Sequence, residues 1–484
     1  MSLVIGSGLR LGSGSAGGTI KKLADLQTYL AADHPWQVVK VTDRAEAPNA
    51  FTWVYSDGAA WKSVYKRDTV STDPDSLSPI LVGSLWNPLF MNVDTDHQDL
   101  YGYVTLTAHQ MGDEPATHLI VNFMNAYLKP DSAGPLTNTG NAQPLQKLAL
   151  HIPGAPKPAY VFWNGSRSYV IADGAADVNA DEVPASAFGL DEIPGASIVT
   201  AKLLILYDGP AGVPYSNRNP AEGQGTAMYR FKPGDGTNGT TAMSDVDVPG
   251  AFTWTGTEPV SRSGGYYPFI LARHKSKKAT ALMAIGTSIT SNFNDPANVF
   301  AGPAWFQRGI KMFKVRPGAF NFAIAGSTTQ AGKGEPRIQA YYKYCTGAVL
   351  EHPTNDFLNP SALTAAMGKA RVDGRRDELV EGGIPADKIA LVLPIAYTSG
   401  DYTTEAGQTP HAGWGAGEVV QQYKALAMAD PSYGLKLDRW SLLGEDGLVF
   451  KPGYTVDGLH LERASSIIEA TAVAPPMEAF FKVA

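Results

Sequence analysis

The stretch Ala281-Leu-Met-Ala-Ile-Gly-Thr-Ser-Ile-Thr290 joins an apolar run to a Gly-Thr-Ser turn. A short apolar run bounded by a turn is typical of a strand that is buried on both faces. Further along the chain, similar runs alternate with segments of helical spacing. The predicted strands are 281–285, 320–325, 348–350 and 389–395. The predicted helices are 304–313, 337–344, 361–381, 418–429 and a last helix from Glu462. This alternation predicts a parallel sheet with helices on both faces.

Polar residues follow the predicted strands, where the loops of a parallel sheet carry reactive groups. Ser288 follows the first strand, Gly326 the second and Asn355 the third, while Asp457 and His460 stand three residues apart before the last helix. These residue types predict acyl transfer, in which Ser288 attacks, His460 takes its proton and Asp457 orients the imidazole. The predicted oxyanion hole consists of the Ser288 and Gly326 amides and the Asn355 side-chain NH₂. Each such donor is typically worth about 3–4 kcal/mol of the barrier.

The order of these motifs resembles that of the SGNH (GDSL-type) hydrolase superfamily. The motifs are Gly286-Thr-Ser-Ile-Thr290, Gly326, Thr354-Asn-Asp356 and Asp457-Gly-Leu-His460. The resemblance covers residues 277–484 and implies a three-layer α/β/α fold with five parallel strands. It assigns the four residues that name the family to Ser288, Gly326, Asn355 and His460, and the acid of the triad to Asp457.

Two positions depart from the pattern of that family. Thr287 stands where the family usually has Asp, and Pro353 stands where it usually has Gly. The first side chain is outside the triad, and the second stiffens the loop that carries Asn355. Neither departure removes a predicted catalytic group.

Each candidate residue also has a purely structural interpretation. Ser288 has the residue type of a helix N-cap, His460 that of a packed or surface histidine, and Asn355 that of a cap for the helix near Ser361. His352 is a rival base because it lies close to Asn355 in the sequence. Asp94, Asp96 and Asp99 resemble a calcium loop only loosely, without its Gly at the sixth and Glu at the twelfth position, and are interpreted as a solvated loop.

Composition excludes several other classes of protein. The 39 basic and 46 acidic residues give a net charge of −7 without a long run of either sign, which argues against nucleic acid or an anionic membrane as the main partner. The single cysteine, Cys345, excludes an internal disulfide framework. No HExxH motif or paired-His spacing is present, which argues against a zinc hydrolase. We expect neither a metal nor a cofactor. We also expect no signal peptide and no membrane insertion, because the required apolar segments are missing.

The chain length of 484 residues suits about three domains. Residues 1–72 combine a Gly/Ser head, a helix near 20–30 and a hairpin, with predicted strands at 51–55 and 59–64 around Ser56-Asp-Gly58. We interpret them as an N-terminal anchor. Residues 73–276 contain short predicted strands between turns, which favours a β-sandwich or jelly roll. Residues 274–278, at the boundary, are interpreted as a linker to the α/β domain, residues 277–484.

Residues 52–61, Thr-Trp-Val-Tyr-Ser-Asp-Gly-Ala-Ala-Trp, resemble short segments of bacteriophage tail-fibre, tail-spike and baseplate proteins. This resemblance implies a virion protein that binds other tail or baseplate proteins through its N-terminus and acts outside the cell at the host surface. Our hypothesis is a carbohydrate O-acetyl esterase whose substrate is O-acetylated surface polysaccharide. A homotrimer is usual for tail spikes, although the sequence shows no coiled-coil heptads.

Two alternatives remain open at the level of sequence. The first is a cellular short-chain esterase or lipase, for which a long apolar acyl channel beside Ser288 would be expected. The second is a non-catalytic receptor-binding virion protein on a hydrolase scaffold. That alternative predicts a separation between Ser288 and His460 far beyond hydrogen-bond reach, or a plugged cleft.

Overall fold

The computed structural model describes most of the chain from residue 102 onward and separate segments before it. The described residues are 3–4, 38–41, 51–56, 61–67, 78–83, 85–86, 92–94, 102–128, 134–209, 213–215, 227–231, 246–249, 258–259, 266, 268–291, 305–358, 363–445 and 448–482. The Gly/Ser head and the helix predicted near 20–30 lie outside these residues, as do Asp96 and Asp99. No helix within the described ranges is long and apolar enough to cross a membrane.

The N-terminal segments form one antiparallel sheet. Its strands, in spatial order, are Leu3–Val4, Val38–Val41, Phe51–Ser56 and Trp61–Arg67. The last two strands pair from Phe51 opposite Arg67 to Ser56 opposite Trp61, with a register shift between Trp53 and Val54. The hairpin predicted from Thr-Trp-Val-Tyr-Ser-Asp-Gly is therefore confirmed.

The middle of the chain forms two larger antiparallel sheets. In spatial order, the first contains Ala159–Tyr160, Gln143–His151, Ile198–Leu206, Gly102–Gln110, Ala227–Phe231 and Glu258–Pro259, with Tyr169–Ile171 beside Gln143–His151. The second contains Val178–Asn179, Ala116–Phe123, Phe269–His274 and Ile80–Val82, with Val183–Pro184 beside Ala116–Phe123. Short two-stranded ladders join Ala126–Tyr127 to Thr137–Asn138 and Asn92–Asp94 to Val213–Tyr215.

Alternation along the strands explains how the two sheets pack. Leu148 and Leu203 point from the first sheet into the core that also holds Leu119 and Phe123 of the second sheet. Leu204, one residue further along, points to the opposite face and joins a separate small cluster, because successive strand side chains alternate between faces. Two sheets that share one core form the predicted β-sandwich.

The last part of the chain forms the parallel sheet. Its strands, in spatial order, are Leu435–Leu437, Ile389–Val392, Gly347–Glu351, Ala281–Ile285, Gly318–Asn321 and Leu85–Trp86. Every neighbouring pair runs parallel. Two of these strands, Leu435–Leu437 and Leu85–Trp86, were not predicted from the sequence. The five-stranded sheet implied by the family resemblance is thus extended by the strand Leu85–Trp86, which comes from the region predicted to form the sandwich, residues 73–276.

Helices cover this sheet on both faces. They span Ser288–Ser291, Trp305–Lys311, Pro336–Gln339, Ala365–Glu381, Val419–Ala429, Trp440–Leu443 and Arg463–Phe481, with 3₁₀ turns at Tyr342–Tyr344, Thr354–Phe357 and Ala386–Lys388. A further 3₁₀ turn, Ala185–Phe188, belongs to the sandwich and contacts the strand Ala116–Phe123. Trp305–Lys311 packs on Arg463–Phe481, whereas Ala365–Glu381 packs on Val419–Ala429. The sheet extends in opposite directions from the strand Ala281–Ile285, so right-handed crossovers place these two helix pairs on opposite faces.

Several predicted boundaries were wrong, and a capping hydrogen bond explains one of them. The strand predicted at 320–325 is Gly318–Asn321, and the helix predicted at 337–344 is a short helix followed by a 3₁₀ turn. The helix predicted from 361 begins at Ala365, because the Thr364 hydroxyl accepts the N–H of Met367 at 3.2 Å and caps it. Asn355 is therefore not the cap of that helix.

The sandwich and the α/β part share an interface. His274, predicted from the sequence to lie in a linker, is a buried residue at the end of the strand Phe269–His274, and the next strand already begins at Ala281. Phe269 packs against Phe320 and Tyr341 of the α/β part, with ring centroids 6.0 and 5.8 Å away. The Tyr341 hydroxyl donates to Asn122 Oδ1 of the sandwich at 2.9 Å. The second sheet of the sandwich thus lies between the first sheet and the α/β part.

Candidate active site

Ser288, His460 and Asp457 form one hydrogen-bonded chain at the carboxyl end of the parallel sheet. Ser288 opens the short helix that follows the strand Ala281–Ile285. Its Oγ lies 2.8 Å from His460 Nε2, and His460 Nδ1 lies 2.7 Å from Asp457 Oδ2. The structure therefore brings together three residues from positions 288 to 460 in the geometry that nucleophilic catalysis requires. The long Ser288–His460 separation that the non-catalytic alternative predicts is not observed.

Asp457 uses its two carboxylate oxygens for different tasks. Oδ2 faces the imidazole, while Oδ1 accepts the backbone N–H groups of Leu459 at 3.0 Å and of His460 at 2.8 Å. Partial burial raises the pKa of the Asp457 carboxyl, but these bonds from the His460 side chain and from the two amides outweigh it and hold the pKa well below its usual range. Asp457 thus stays ionised in weakly acidic solution and keeps the His460 Nδ1–H oriented.

The loop that carries Asp457 and His460 packs against a hairpin that the sequence did not reveal as part of the site. The hairpin pairs Thr398–Gly400 with Gln408–Pro410. The N–H of Thr398 donates to Gly458 O at 2.8 Å. Gly458 has φ +79°, and a Cβ there would lie 1.8 Å from Thr398 O. Both the left-handed backbone and the close approach therefore require glycine at this position.

Replacing Gly458 with alanine is expected to lower kcat about 100-fold with little change in KM, because relief of the clash displaces Asp457 and His460 from Ser288. Steady-state ester hydrolysis measures this. Gly453→Ala is the matched control: Gly453 has φ +76°, but a Cβ there would meet no atom within 4 Å. Equal losses of kcat in both variants would show that backbone strain alone, not the contact with Thr398, is responsible.

The predicted oxyanion residues lie on loops that are tied together. Gly326 has φ +76°, which turns the chain after the second strand. The adjacent Ser327 donates from Oγ to Gly286 O at 2.9 Å, and its own carbonyl accepts Asn355 Nδ2 at 2.9 Å. One of the two Asn355 N–H bonds is thereby used, and its direction is fixed. Asp356 also ties these loops, since its Oδ2 accepts both the N–H and the hydroxyl of Thr329 at 2.8 Å.

His352, the rival base, is in a different environment. It is buried directly after the strand Gly347–Glu351, and its backbone carbonyl accepts the hydroxyl of Tyr423 at 3.2 Å. Burial lowers the pKa of the His352 imidazole to about 4, so the ring is neutral at pH 7. The histidine hydrogen-bonded to Ser288 is His460, and the alternative assignment to His352 is therefore not supported.

Buried His352 predicts a loss of stability in acid. Its pKa of about 4 in the folded chain lies below the ordinary 6.5, so the unfolded chain binds more protons between these values. The contribution of His352 to the free energy of unfolding is thus complete above pH 6.5 and is lost as the pH falls towards 4. The total loss is about 3 kcal/mol. Urea unfolding at pH 7 and pH 4.5 should show a smaller difference for His352→Leu than for wild type. The buried His109 is present in both proteins and affects both equally. If the loss of stability between pH 7 and pH 4.5 were the same in His352→Leu as in wild type, the prediction would be contradicted.

The described ranges contain no group of three or more His, Cys, Asp or Glu side chains arranged to hold a metal ion. Of the three aspartates that loosely resemble a calcium loop, Asp94 lies within the described residues, where it ends the strand Asn92–Asp94. The groups that the site geometry offers for chemistry are Ser288, His460 and Asp457 and the N–H donors of the tied loops, as in an α/β hydrolytic enzyme with a serine nucleophile.

No protein-family model and no curated protein matches this chain. Among solved structures, a GDSL-like lipase from Bacteroides thetaiotaomicron is similar at 14% identity over 42% of this chain and 90% of its own, with a TM-score of 0.30. A lipase/acylhydrolase from Enterococcus faecalis has 16% identity, coverage of 41% and 96%, and a TM-score of 0.31. A carbohydrate acetylesterase family member from Sinorhizobium meliloti has 16% identity, coverage of 42% and 100%, and a TM-score of 0.32. Similarities at this level do not identify a family, so the chemistry is inferred from the site itself.

Proposed function

We propose that this protein is a serine esterase of the SGNH type. The observation that carries the proposal is the hydrogen-bonded chain from Ser288 Oγ through His460 to Asp457, at 2.8 and 2.7 Å. The order of the site motifs along a parallel α/β sheet supports the same assignment. The three hydrogen-bonded residues and the loops of Gly326 and Asn355 provide the nucleophile, the base and the oxyanion donors that ester hydrolysis uses.

In the proposed first half-reaction, Ser288 Oγ attacks the ester carbonyl while His460 Nε2 takes the hydroxyl proton. The carbonyl oxygen becomes an oxyanion, held by the amides of Ser288 and Gly326 and by Asn355 Nδ2. Collapse of this intermediate breaks the bond to the alcohol oxygen, which receives the proton from His460. The acyl group remains on Ser288.

In the second half-reaction, water attacks the acyl carbon and gives its proton to His460. Collapse then breaks the bond to Ser288 Oγ, which takes the proton back as the acid leaves. Asp457 is not consumed in either step; its ionised carboxylate stabilises the imidazolium that forms twice. One ester and one water thus become one alcohol and one acid.

We further propose that the substrate is an O-acetylated surface polysaccharide and that the protein is a tail-associated virion component. The Asp457 side chain is 37% exposed, which supports a site open at the surface, as a polymeric substrate requires. The resemblance of residues 52–61 to phage tail proteins supports attachment through the N-terminal residues, with action outside the cell and without membrane insertion. A homotrimer is proposed only on that same resemblance.

Hydrolysis of 4-nitrophenyl acetate and butyrate, followed by acetate release from O-acetylated polysaccharides, tests these proposals. We expect activity on both esters, a higher kcat/KM for acetate, and acetate release from a polysaccharide. A preference for butyrate or longer chains would instead favour a short-chain esterase or lipase. A folded protein that hydrolyses no ester would contradict the esterase proposal and leave a binding protein.

A further inference from the structure

A buried carboxylate lies directly beneath the proposed nucleophile. Glu351, the last residue of the strand Gly347–Glu351, is fully buried. Its Oε2 accepts the N–H of Thr287 at 2.9 Å, the hydroxyl of Thr287 at 2.8 Å and the hydroxyl of Thr290 at 3.2 Å. These two threonines stand on either side of Ser288. One carboxylate oxygen thus holds the turn that carries Ser288 from both sides.

The other oxygen of Glu351 connects this turn to distant parts of the chain. Oε1 accepts the hydroxyl of Thr354 at 3.2 Å and faces Arg439 Nη2 at 3.4 Å. Arg439 is itself fully buried, and its Nη1 donates to Glu469 Oε1 at 2.7 Å. Glu469 lies on the helix Arg463–Phe481, which begins three residues after His460. The segments that supply Ser288 and His460 are therefore joined through one buried ionic network.

A second set of contacts closes the network around Thr290. Its hydroxyl accepts Trp305 Nε1 at 3.0 Å, and its carbonyl accepts Asn321 Nδ2 at 2.7 Å. The Arg439 guanidinium lies over the ring of Trp305, 5.3 Å from its centroid. Glu351, Thr290, Trp305 and Arg439 thus form a closed ring of contacts. A ring of buried groups that each satisfy one another leaves the turn little freedom to move.

Space around the carboxylate is also limited by the nucleophile turn itself. A Cβ at Gly286 would lie 2.9 Å from Glu351 Oε2 and 3.1 Å from Thr290 Cβ. Glycine at position 286 therefore permits the close approach of this carboxylate to the backbone before Ser288.

We propose that Glu351 is a positioning residue for the nucleophile: its carboxylate, held by Arg439, fixes the turn so that Ser288 Oγ lies in reach of His460 and the Ser288 amide faces the oxyanion. This inference rests on the proposed esterase function and adds a group that does not touch the substrate. Its loss would reduce kcat more than it changes KM, since a displacement of about 1 Å in a reacting group costs about 100-fold in rate.

Glu351→Gln tests this, because it keeps the size of the side chain but removes its charge and turns an N–H donor towards other donors. We expect kcat for 4-nitrophenyl acetate to fall about 10- to 100-fold, KM to stay within about twofold, and phosphonylation of Ser288 by a fluorophosphonate to slow in parallel. Thr287→Val removes only the hydroxyl bond and leaves the backbone N–H bond, so we expect a smaller loss of kcat. If Glu351→Gln fails to fold, the kcat of Thr287→Val tests the proposal in its place.

Glu378→Gln is the matched control. Glu378 is equally a buried glutamate, whose Oε2 accepts Arg375 Nη1 at 2.8 Å and whose Oε1 accepts the Tyr342 hydroxyl at 3.0 Å. We expect this control to lower Tm but to leave kcat unchanged. The proposal is overturned if Glu351→Gln and Thr287→Val keep the wild-type kcat, or if Glu378→Gln lowers kcat as much as Glu351→Gln. A wild-type protein without esterase activity would instead show that the esterase function itself is wrong.

Discussion

Ser288→Ala is expected to lower kcat for 4-nitrophenyl acetate by about 10⁵-fold or more while the protein stays folded. Ser288 Oγ is the atom that receives the acyl group, so its removal leaves only water as a nucleophile. The residual rate would come from the oxyanion donors and from binding, which the substitution leaves in place. Steady-state kinetics, with circular dichroism as the test of folding, measures this effect.

Combined variants make this prediction sharper. The loss of kcat in the Ser288→Ala/His460→Ala double variant should be close to that in either single variant, because the effects of residues that act as one unit are not additive.

Asp457→Asn should lower kcat about 10⁴-fold. Its carbonyl oxygen still accepts the amides of Leu459 and His460, but its NH₂ then faces His460 Nδ1. The imidazole would carry its proton on Nε2 and be unable to take one from Ser288.

Ser466→Ala controls for the loss of a buried hydroxyl, since Ser466 is similarly buried on the helix Arg463–Phe481. Its kcat should stay within about twofold of wild type, as for most substitutions remote from a site. Substantial activity in Ser288→Ala would place the nucleophile elsewhere and contradict the proposed mechanism. Multiplicative losses in the Ser288/His460 double variant would show that the two residues do not act together.

The candidate site could be predicted from sequence because its residues lie in short motifs at strand ends. The strand Ala281–Ile285 was predicted with its observed bounds, and a buried strand followed by a Gly-Thr-Ser turn fixes where Ser288 lies. Asp457 and His460 could be paired for a similar reason, since residues three apart in one tight loop easily share a hydrogen bond. Local sequence was sufficient to predict the position of a residue wherever its neighbours in the same short motif determine that position.

Contacts between distant residues could not be predicted in this way. The strand Leu435–Leu437 is only three residues long and contains a lysine, so its pattern resembles a loop. The contact of Gly458 with Thr398 depends on a hairpin about sixty positions earlier in the chain. A charged residue at the end of the apolar run Gly-Ala-Val-Leu-Glu351 was the one available signal for Glu351. What that charge binds is decided by Thr287 and Arg439, and only the fold brings them together.

The α/β part is expected not to fold when it is separated from the sandwich. A chain of residues 277–484 lacks the strand Leu85–Trp86, which pairs with Ala319 and Phe320 at the edge of the parallel sheet. It also lacks Phe269, whose ring covers Phe320 and Tyr341. Exposing a side chain of this size costs about 1.5–3 kcal/mol, and several such residues together approach the whole stability of a domain.

Polar contacts across the same interface add to this cost. Glu335 Oε2 accepts the N–H of Leu136 at 3.0 Å, Arg337 Nη2 donates to Leu136 O at 2.6 Å, and Arg316 pairs with Asp113 at 2.7 Å. The N–H of Gly332, in the loop that begins at Gly326, donates to Gly134 O at 2.9 Å. The sandwich therefore supports the loop that supplies one proposed oxyanion donor, and its removal affects the site as well as the core.

Expression of residues 277–484 and of residues 78–484 tests whether the α/β part folds without the sandwich. The longer chain keeps the strand Ile80–Val82, the strand Leu85–Trp86 and the whole sandwich, so we expect it to be soluble, to unfold in one transition and to have the kcat of the full chain. The shorter chain should be insoluble or lack cooperative unfolding, because it exposes Tyr341 and Phe320 and leaves Arg337 and Glu335 without their partners in the sandwich. A soluble 277–484 fragment with full kcat would contradict this. It would show that the sandwich is a separate module whose role lies in binding and not in supporting the esterase.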